Sequence, residues 1–536
     1  MKFVTAVYGN LYVPLITTFL FQLKKVHPDD ETIVLWDDIN ENEINLLSSY
    51  FNDVTFIKLE HNIPKNDQLK RIPLKLKYWC DILNETDNDT ICFLDCDTLV
   101  YKNINDFVNK DFDFLYTFKD EKFPINVGVV IVKTSDKIKT FFDKWLDEIE
   151  IIINDSEKLQ EAFQTFGAAD QKALAGLMRF DLNNPDKSIS FDFGDIKFSG
   201  IPCDKLNQTQ SVPINCGSYI FHYKGGWQPI LLKLMPFSKN RPKESALDMY
   251  YYWDNLFEEA NYKIMHSIIM NASIKWKDTI DWLNTKHLIR GILHSEMLAT
   301  ISTIKELKPD LIIESGRFQG QSTYILTKAF EKDNIPVISI ELTKDENANI
   351  AENKLKDFSN LKLLYGDTHK LLPDLVKKNS NKKIVILMDG PKGYEAYKLF
   401  SELYYKHKNI IAGFFHDCRK PYRHMTNNSR NEIYKFFDRL WFTDNEEFVD
   451  TFREIDTPCI ATQNNMTEHS WKPYYKGWKK IGSYGPTIGI VLPNMRDHYR
   501  YEKLFKRKVS PIQNLKIMFI RFYIKLKEPF KTKVII

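Results

Sequence analysis

Two α/β units in series, joined by a helical segment, are what this sequence predicts. Three observations predict them. Short apolar runs in the first half end in acidic residues, as in CFLDCDTLV, and a second series of such runs opens at PDLIIESGRFQGQSTYILTKAF. Between the two series, SALDMYYYWDNLFEEANYKIMHSIIM sets aromatic and acidic residues at helical spacing. At 536 residues the chain is long enough for two or three domains, and 43% hydrophobic content is ample for their cores.

The N-terminal MKFVTAVYGNLYVPLITTFLFQLKK has the basic start and apolar body of a secretion signal, but Gly9 and Asn10 interrupt that body. A first strand over Lys2 to Tyr8, a loop, and a helix from about Pro14 account for it better, and no small-residue cleavage site follows. Further on, Ile91 to Leu94 reads as a buried strand that opens into a loop at Asp95-Cys96-Asp97. Residues i and i+2 of an extended chain project to one side, so Asp95 and Asp97 can share one ion. A hard, oxygen-liganded Mg²⁺ or Mn²⁺ suits two carboxylates and leaves positions for water and phosphate oxygens. By itself such a pair is also common in solvated loops.

More polar residues follow at the ends of apolar runs. FPINVGVVIVK supplies Asn126 and Gly128, GAADQKALAGLM supplies Asp170 and Gln171 near a helix start, and SYIFHYKGGWQP supplies His222 and Lys224 after a strand. With the opening FVTAVYGN, this ordered set over about residues 1 to 235 resembles the GT-A glycosyltransferases, most closely the family 8 group. The resemblance implies that Asp95, Asp97 and His222 hold the metal ion against the diphosphate of a nucleotide sugar, with Lys224 meeting the same diphosphate. It implies that Asn126, Gly128 and the Asp170/Gln171 pair lie at the donor sugar, and that Thr5, Tyr8 and Asn10 receive the base and ribose. A UDP-sugar is the favoured donor, and a glycan or lipid-linked glycan the acceptor. Cleaving the sugar–phosphate bond leaves negative charge on the nucleoside diphosphate, which a cation and a lysine stabilise as it develops. Arg71, Lys75 and Lys77 in RIPLKLKYW read equally well as further phosphate contacts or as a solvated basic helix face.

In the second half, the run Leu311 to Ile313 ends at Glu314. A loop then carries Gly316 and Gly320, and Ser322 and Thr323 open a helix whose free N–H groups and glycine-rich approach suit a ligand. VISIELTKDE ends a strand at Glu341, LKLLYGDTHKLLP carries Asp367, VILMDGPKGYEAY carries Asp389, and IIAGFFHDC carries His416 and Asp417. Strands alternating with helices and closing on acidic residues describe a doubly wound parallel sheet, which binds ligands beyond its strand ends.

This series, over about residues 286 to 495 and including a final YGPTIGIVLP strand, resembles the class I S-adenosylmethionine-dependent methyltransferases. The resemblance implies that Glu314, Gly316, Gly320 and Ser322 meet the methionine part, Glu341 the ribose hydroxyls, and Asp367 the adenine edge, with Asp389 also near the cofactor. Asp389 and Asp417 would form a second metal site, and His416 a general base. Two departures stand out: the first loop is not GxGxG, and DGPKG replaces Asp-Gly-x-His-x-Tyr. Glu314 and Glu341 also read simply as helix caps.

The fold class expected is therefore α/β. A GT-A unit spans 1–240, a helical connector 241–285, a Rossmann-like methyltransferase unit 286–496, and a basic amphipathic tail 497–536. The expected function is bifunctional glycan modification, sugar transfer joined to O-methylation. The alternatives are a non-catalytic second unit serving binding or assembly, and a nucleotide-sugar sensor.

Lys+Arg of 74 against Asp+Glu of 71 gives a formal charge of +3, which provides no broad electrostatic reason for a nucleic-acid partner. Seven scattered cysteines form no disulfide framework, and a reducing, cytoplasmic setting fits them. No apolar stretch reaches the ~18 residues a bilayer span requires. The tail, SPIQNLKIMFIRFYIKLKEPFKTKVII, reads either as a helix packed on the protein or as a basic helix lying on an anionic membrane surface.

Overall fold

The computed structural model describes residues 1–61, 63, 71–119, 124–180, 190–210, 212–224, 231, 247–279, 291–418, 429–457, 459, 487–494, 496–497 and 501. The tail beyond 501 lies outside the described residues. Among those described, the chain forms two large sheets and a small ribbon.

The first sheet contains β1 (Lys2–Tyr8), β2 (Glu31–Asp37), β3 (Val54–Lys58), β4 (Thr90–Asp95), β6 (Phe114–Phe118), β7 (Ile125–Lys133), β8 (Ser190–Phe193) and β9 (Ile196–Pro202). Their order is β3-β2-β1-β4-β7-β6-β9-β8. The first four strands are mutually parallel, while β7 runs antiparallel to both β4 and β6. Two-sided burial explains the near-continuous apolar runs. On β1, Phe3 and Val7 join the core under the helix Val13–Val26, and Val4 and Ala6 join the opposite core under the helices Arg71–Asn84 and Asp136–Asn154. A separate antiparallel ribbon pairs β5 (Thr98–Val100) with β10 (Ile220–His222).

The second sheet contains β11 (Leu311–Ser315), β12 (Val337–Glu341), β13 (Leu361–Tyr365), β14 (Ile384–Met388), β15 (Ile410–Phe415), β16 (Leu440–Phe442) and β17 (Gly489–Val491). The order is β13-β12-β11-β14-β15-β17-β16, parallel except for β17, which is antiparallel to both its neighbours. The strand expected in YGPTIGIVLP is β17. Order reverses at β11, so the crevice beyond the ends of β11, β12 and β14 is where a doubly wound sheet takes a ligand.

One helix, Leu247–Trp276, serves both cores. Trp253, Phe257, Ala260 and Ile264 pack into the first unit, and Met265, Ile269 and Met270 into the second. Two buried arginines reinforce the seam. Arg439 Nε donates to Asn261 Oδ1 at 3.0 Å and its Nη1 to Glu43 Oε2 at 2.5 Å, which ties the helix Glu41–Tyr50 to the second unit. Arg496 is held by Asp254 of the shared helix and by Asp438, 3.7 Å from its Nε. Such pairs are strongly destabilising to break singly, because the remaining charge stays buried.

Candidate functional sites

At the end of β4 the chain turns through Cys96 and Asp97 into β5, and Thr98 Oγ1 closes the turn by donating to the Asp95 carbonyl at 2.7 Å. The ribbon brings β10 alongside: His222 pairs with Thr98, and Tyr223 N–H donates to the Asp97 carbonyl at 2.8 Å. This register sets His222 Nε2 3.2 Å from Asp97 Oδ1 and 3.7 Å from Asp95 Oδ2. Ligand atoms of the three residues all lie within 4.8 Å of one another, a donor set of two carboxylates and an imidazole that fits a divalent cation.

The imidazole also lies against Gly128. A Cβ built there would stand 2.3 Å from His222 Cε1 and 2.9 Å from Asn126 Oδ1. Asn126 is itself fixed, its Oδ1 accepting from Gly128 N–H and from Asn207 Nδ2, each at 2.9 Å. Asn207 was not among the residues singled out from the sequence, since nothing in CDKLNQTQ marks a buried amide.

Lys75 sits 3.1 Å from Asp95 Oδ1, with its ammonium 4.7 Å from the Trp79 ring centre. Burial opposes its charge, but Asp95, Asp170 and Tyr8 hold it well above the ordinary lysine range. Of the basic residues in that helix, Lys77 is exposed and the Arg71 side chain lies outside the described set. Burial raises the Asp170 carboxyl, with Lys75 opposing and Asp95 adding to the effect. Asp170 Oδ1 accepts from Gln171 N–H at 2.9 Å, and Gln171 Nε2 donates to the Phe166 carbonyl at 2.6 Å. Burial and then Lys119 lower the Lys224 ammonium, against Asp95 and Asp97.

The three residues at β1 separate. Thr5 is fully buried in mid-strand, its hydroxyl without a hydrogen-bond partner, while Tyr8 is half-buried at the strand end. Asn10 faces the seam, its Oδ1 accepting from Asn40 N–H at 2.6 Å.

Beyond the second sheet, Glu341 Oε2 accepts from Arg317 N–H at 2.8 Å and Phe318 N–H at 2.7 Å, and Oε1 accepts from Leu342 N–H at 2.8 Å. Gly316 lets this loop pass β14: with φ 91° its Cβ would meet Gly390 N at 2.7 Å. Gly320, at φ 76°, precedes the helix Gln321–Phe330. Glu314 is fully buried and accepts from Ser322 Oγ at 2.5 Å, Ser339 Oγ at 2.7 Å and Thr323 Oγ1. Both Glu314 and Ser322 are thus turned into the fold. Asp367 is a helix cap, its Oδ1 accepting from His369 N–H at 2.9 Å.

Asp389, His416 and Asp417 meet where β14 and β15 end. Asp389 Oδ1 lies 2.7 Å from His416 Nδ1 and 3.0 Å from Lys392 Nζ, which also contacts Asp417 Oδ2. Glu296 faces His416 Nε2 at 4.0 Å, a partner hidden in sequence because nothing in HSEMLATISTIKEL marks its one buried carboxyl among the other polar residues. Burial pushes the Glu296 carboxyl from its ordinary 4.5 to about 8, against His416. Burial would lower His416, but Asp389, Asp417 and Glu296 carry it from 6.5 to about 9.

Because both folded values exceed the unfolded ones, the stability these groups confer is complete below about pH 4.5 and is lost as pH rises toward about 9. Glu296→Gln cannot ionise. Its thermal unfolding curve should lose much of the decline between about pH 4.5 and 8, a difference from the unaltered protein on the order of a few kcal/mol. Parallel pH profiles for the two proteins would remove this assignment.

No protein-family model matches the sequence, and no curated protein is found similar to it. Among solved structures, the chain is similar to the glycosyltransferase GlyE of Streptococcus pneumoniae TIGR4 at 15% identity and a TM-score of 0.32, over 76% of this chain and 89% of that one. It is similar to the galactosyltransferase LgtC, solved with donor and acceptor sugar analogues, at 14% identity and a TM-score of 0.31, over 48% of this chain and 96% of that one. A third is the SAH-bound methyltransferase PaMTH1 of Podospora anserina, at 12% identity and a TM-score of 0.23, over 48% of this chain and 98% of that one. Among the described residues, no helix is long and apolar enough to cross a membrane.

Proposed function

We propose that the chain is a metal-dependent glycosyltransferase whose sugar-transfer unit spans residues 1–240. The observation that carries this reading is the cluster of Asp95, Asp97 and His222, three ligand-bearing groups from the end of β4, the turn after it and β10, held within 4.8 Å. Those residues would hold Mn²⁺ or Mg²⁺, which when bound supplies positive charge to the departing nucleoside diphosphate. Lys224 adds a cation on the same side, its charge felt by Asp95 and Asp97. Lys75 bonds only Asp95 Oδ1, so Oδ2 keeps its orientation toward His222. Asn126, with its amide fixed by Gly128 and Asn207, and the Asp170/Gln171 pair would read the hydroxyls of the donor sugar, with a UDP-sugar as donor and a glycan as acceptor.

Residues 241–285 form the connector in this reading, and residues 286–496 an S-adenosylmethionine-dependent O-methylation unit. The strand order with a single antiparallel strand, and Glu341 at the end of β12, support it. A second reading, in which this unit is a non-catalytic binding module, is favoured by one observation. Glu341 already accepts three backbone N–H groups, and a carboxylate has about four acceptor positions.

Two measurements separate these readings. Hydrolysis of UDP-sugars should stop with a chelator and return with Mn²⁺; hydrolysis indifferent to chelator ends the first proposal. Calorimetric titration with S-adenosylmethionine should show one site, and no heat at millimolar ligand leaves the second unit as a binding module.

A further inference from the structure

Asp389, His416 and Asp417 present ligand atoms within 4.8 Å of one another, the spacing of a second divalent-ion site. A cation is already there. Lys392 Nζ stands 3.0 Å from Asp389 Oδ1 and contacts Asp417 Oδ2, so one ammonium spans both carboxylates. The first site differs in this respect: Lys75 touches one oxygen of Asp95 and leaves the other facing His222 and Asp97.

We infer that Lys392 is the resident cation of the second site, occupying the position a divalent ion would take and excluding one. The ammonium offsets one of the two carboxylate charges and donates to both groups, holding them together as a metal ion would. Asp389 is doubly engaged, by Lys392 and by His416 Nδ1 at 2.7 Å. That second bond turns the other imidazole nitrogen away from the carboxylate pair. His416 Nε2 faces Glu296 instead, at 4.0 Å. Lys392 is therefore a positioning residue whose single charge replaces an exchangeable double one. The DGPKG departure noted in the sequence is the means.

The test uses the full chain carrying Asp97→Asn, so that the first cluster does not compete, and Mn²⁺ itself as probe, read by electron paramagnetic resonance. With Lys392 present, no stoichiometric Mn²⁺ uptake is expected up to millimolar ion. Adding Lys392→Met should open one site at least tenfold tighter than any in the parent, and Asp417→Asn should close it again. Lys392→Arg, which keeps the charge, should not open it.

Stoichiometric uptake by the Lys392-containing protein that disappears in Asp417→Asn would overturn the inference. So would absence of any gain in a Lys392→Met protein whose unfolding curve matches the parent. Neither result depends on whether the unit methylates anything.

Discussion

Asp97→Asn should reduce metal-dependent cleavage of a nucleotide-sugar donor by at least about 100-fold, with excess Mn²⁺ failing to restore it. The substitution preserves shape and removes one negative charge from a set whose ligand atoms lie within 4.8 Å. It also allows an amide N–H to face His222 Nε2, which is now 3.2 Å from Asp97 Oδ1. The ion then loses an anionic ligand and competes with a hydrogen bond. Asp97 is nearly buried, so water cannot readily replace the lost oxygen. The S-adenosylmethionine binding proposed for the second unit should be unaffected, because the second sheet has its own strand-end residues. Activity like that of the unaltered protein in Asp97→Asn under chelator would remove the metal from the proposed mechanism.

Much of this architecture was legible where burial leaves a pattern. MKFVTAVY reads as a strand, and Lys2–Tyr8 is one; the apolar body that follows it resolves into the helix Val13–Val26. Ile91 to Leu94 lie within β4, and the turn after it does bring Asp95 and Asp97 to one imidazole. Tertiary partners were not legible. Asn207 comes from a polar stretch without periodicity, yet it fixes Asn126. Glu296 lies in a largely buried helix 120 positions from His416 in sequence, and only the fold brings them to 4.0 Å.

Roles assigned by position alone also missed the direction of side chains. Thr5 shares its strand face with Phe3 and Val7, inside the core, because residues of one strand alternate sides. Glu314 ends an apolar run as a ligand-binding carboxylate would, but three hydroxyls satisfy it from within the protein. Such hydroxyls are what allow a carboxyl to be buried at all. Lys392 shows the converse: a departure from an expected motif became interpretable only when its ammonium was found across Asp389 and Asp417.

Gly128→Ala should disable the first site without replacing any of its ligand residues. The new methyl carbon would stand 2.3 Å from His222 Cε1, 2.7 Å from Nδ1 and 2.9 Å from Asn126 Oδ1, all below the separations real side chains adopt. His222 is 4% exposed and its backbone is paired on β10, so it has little room to retreat. Asn126 is held by Asn207 and cannot yield freely either. The ring must leave its present position, 3.2 Å from Asp97 Oδ1, and a displacement of this size is costly for both metal affinity and packing. Expected results are at least a tenfold weaker Mn²⁺ affinity, a comparable loss of donor cleavage, and about 1–3 kcal/mol lower stability from overpacking. Gly176→Ala is the matched control. Gly176 lies in the helix Ala169–Leu177 with nothing within 4 Å of an added Cβ, so alanine there should stabilise by about 0.5–1 kcal/mol and leave the metal site alone. Denaturant unfolding and Mn²⁺ titration of both variants read the two effects separately. Unaltered Mn²⁺ affinity in a folded Gly128→Ala protein would show that His222 is not a ligand.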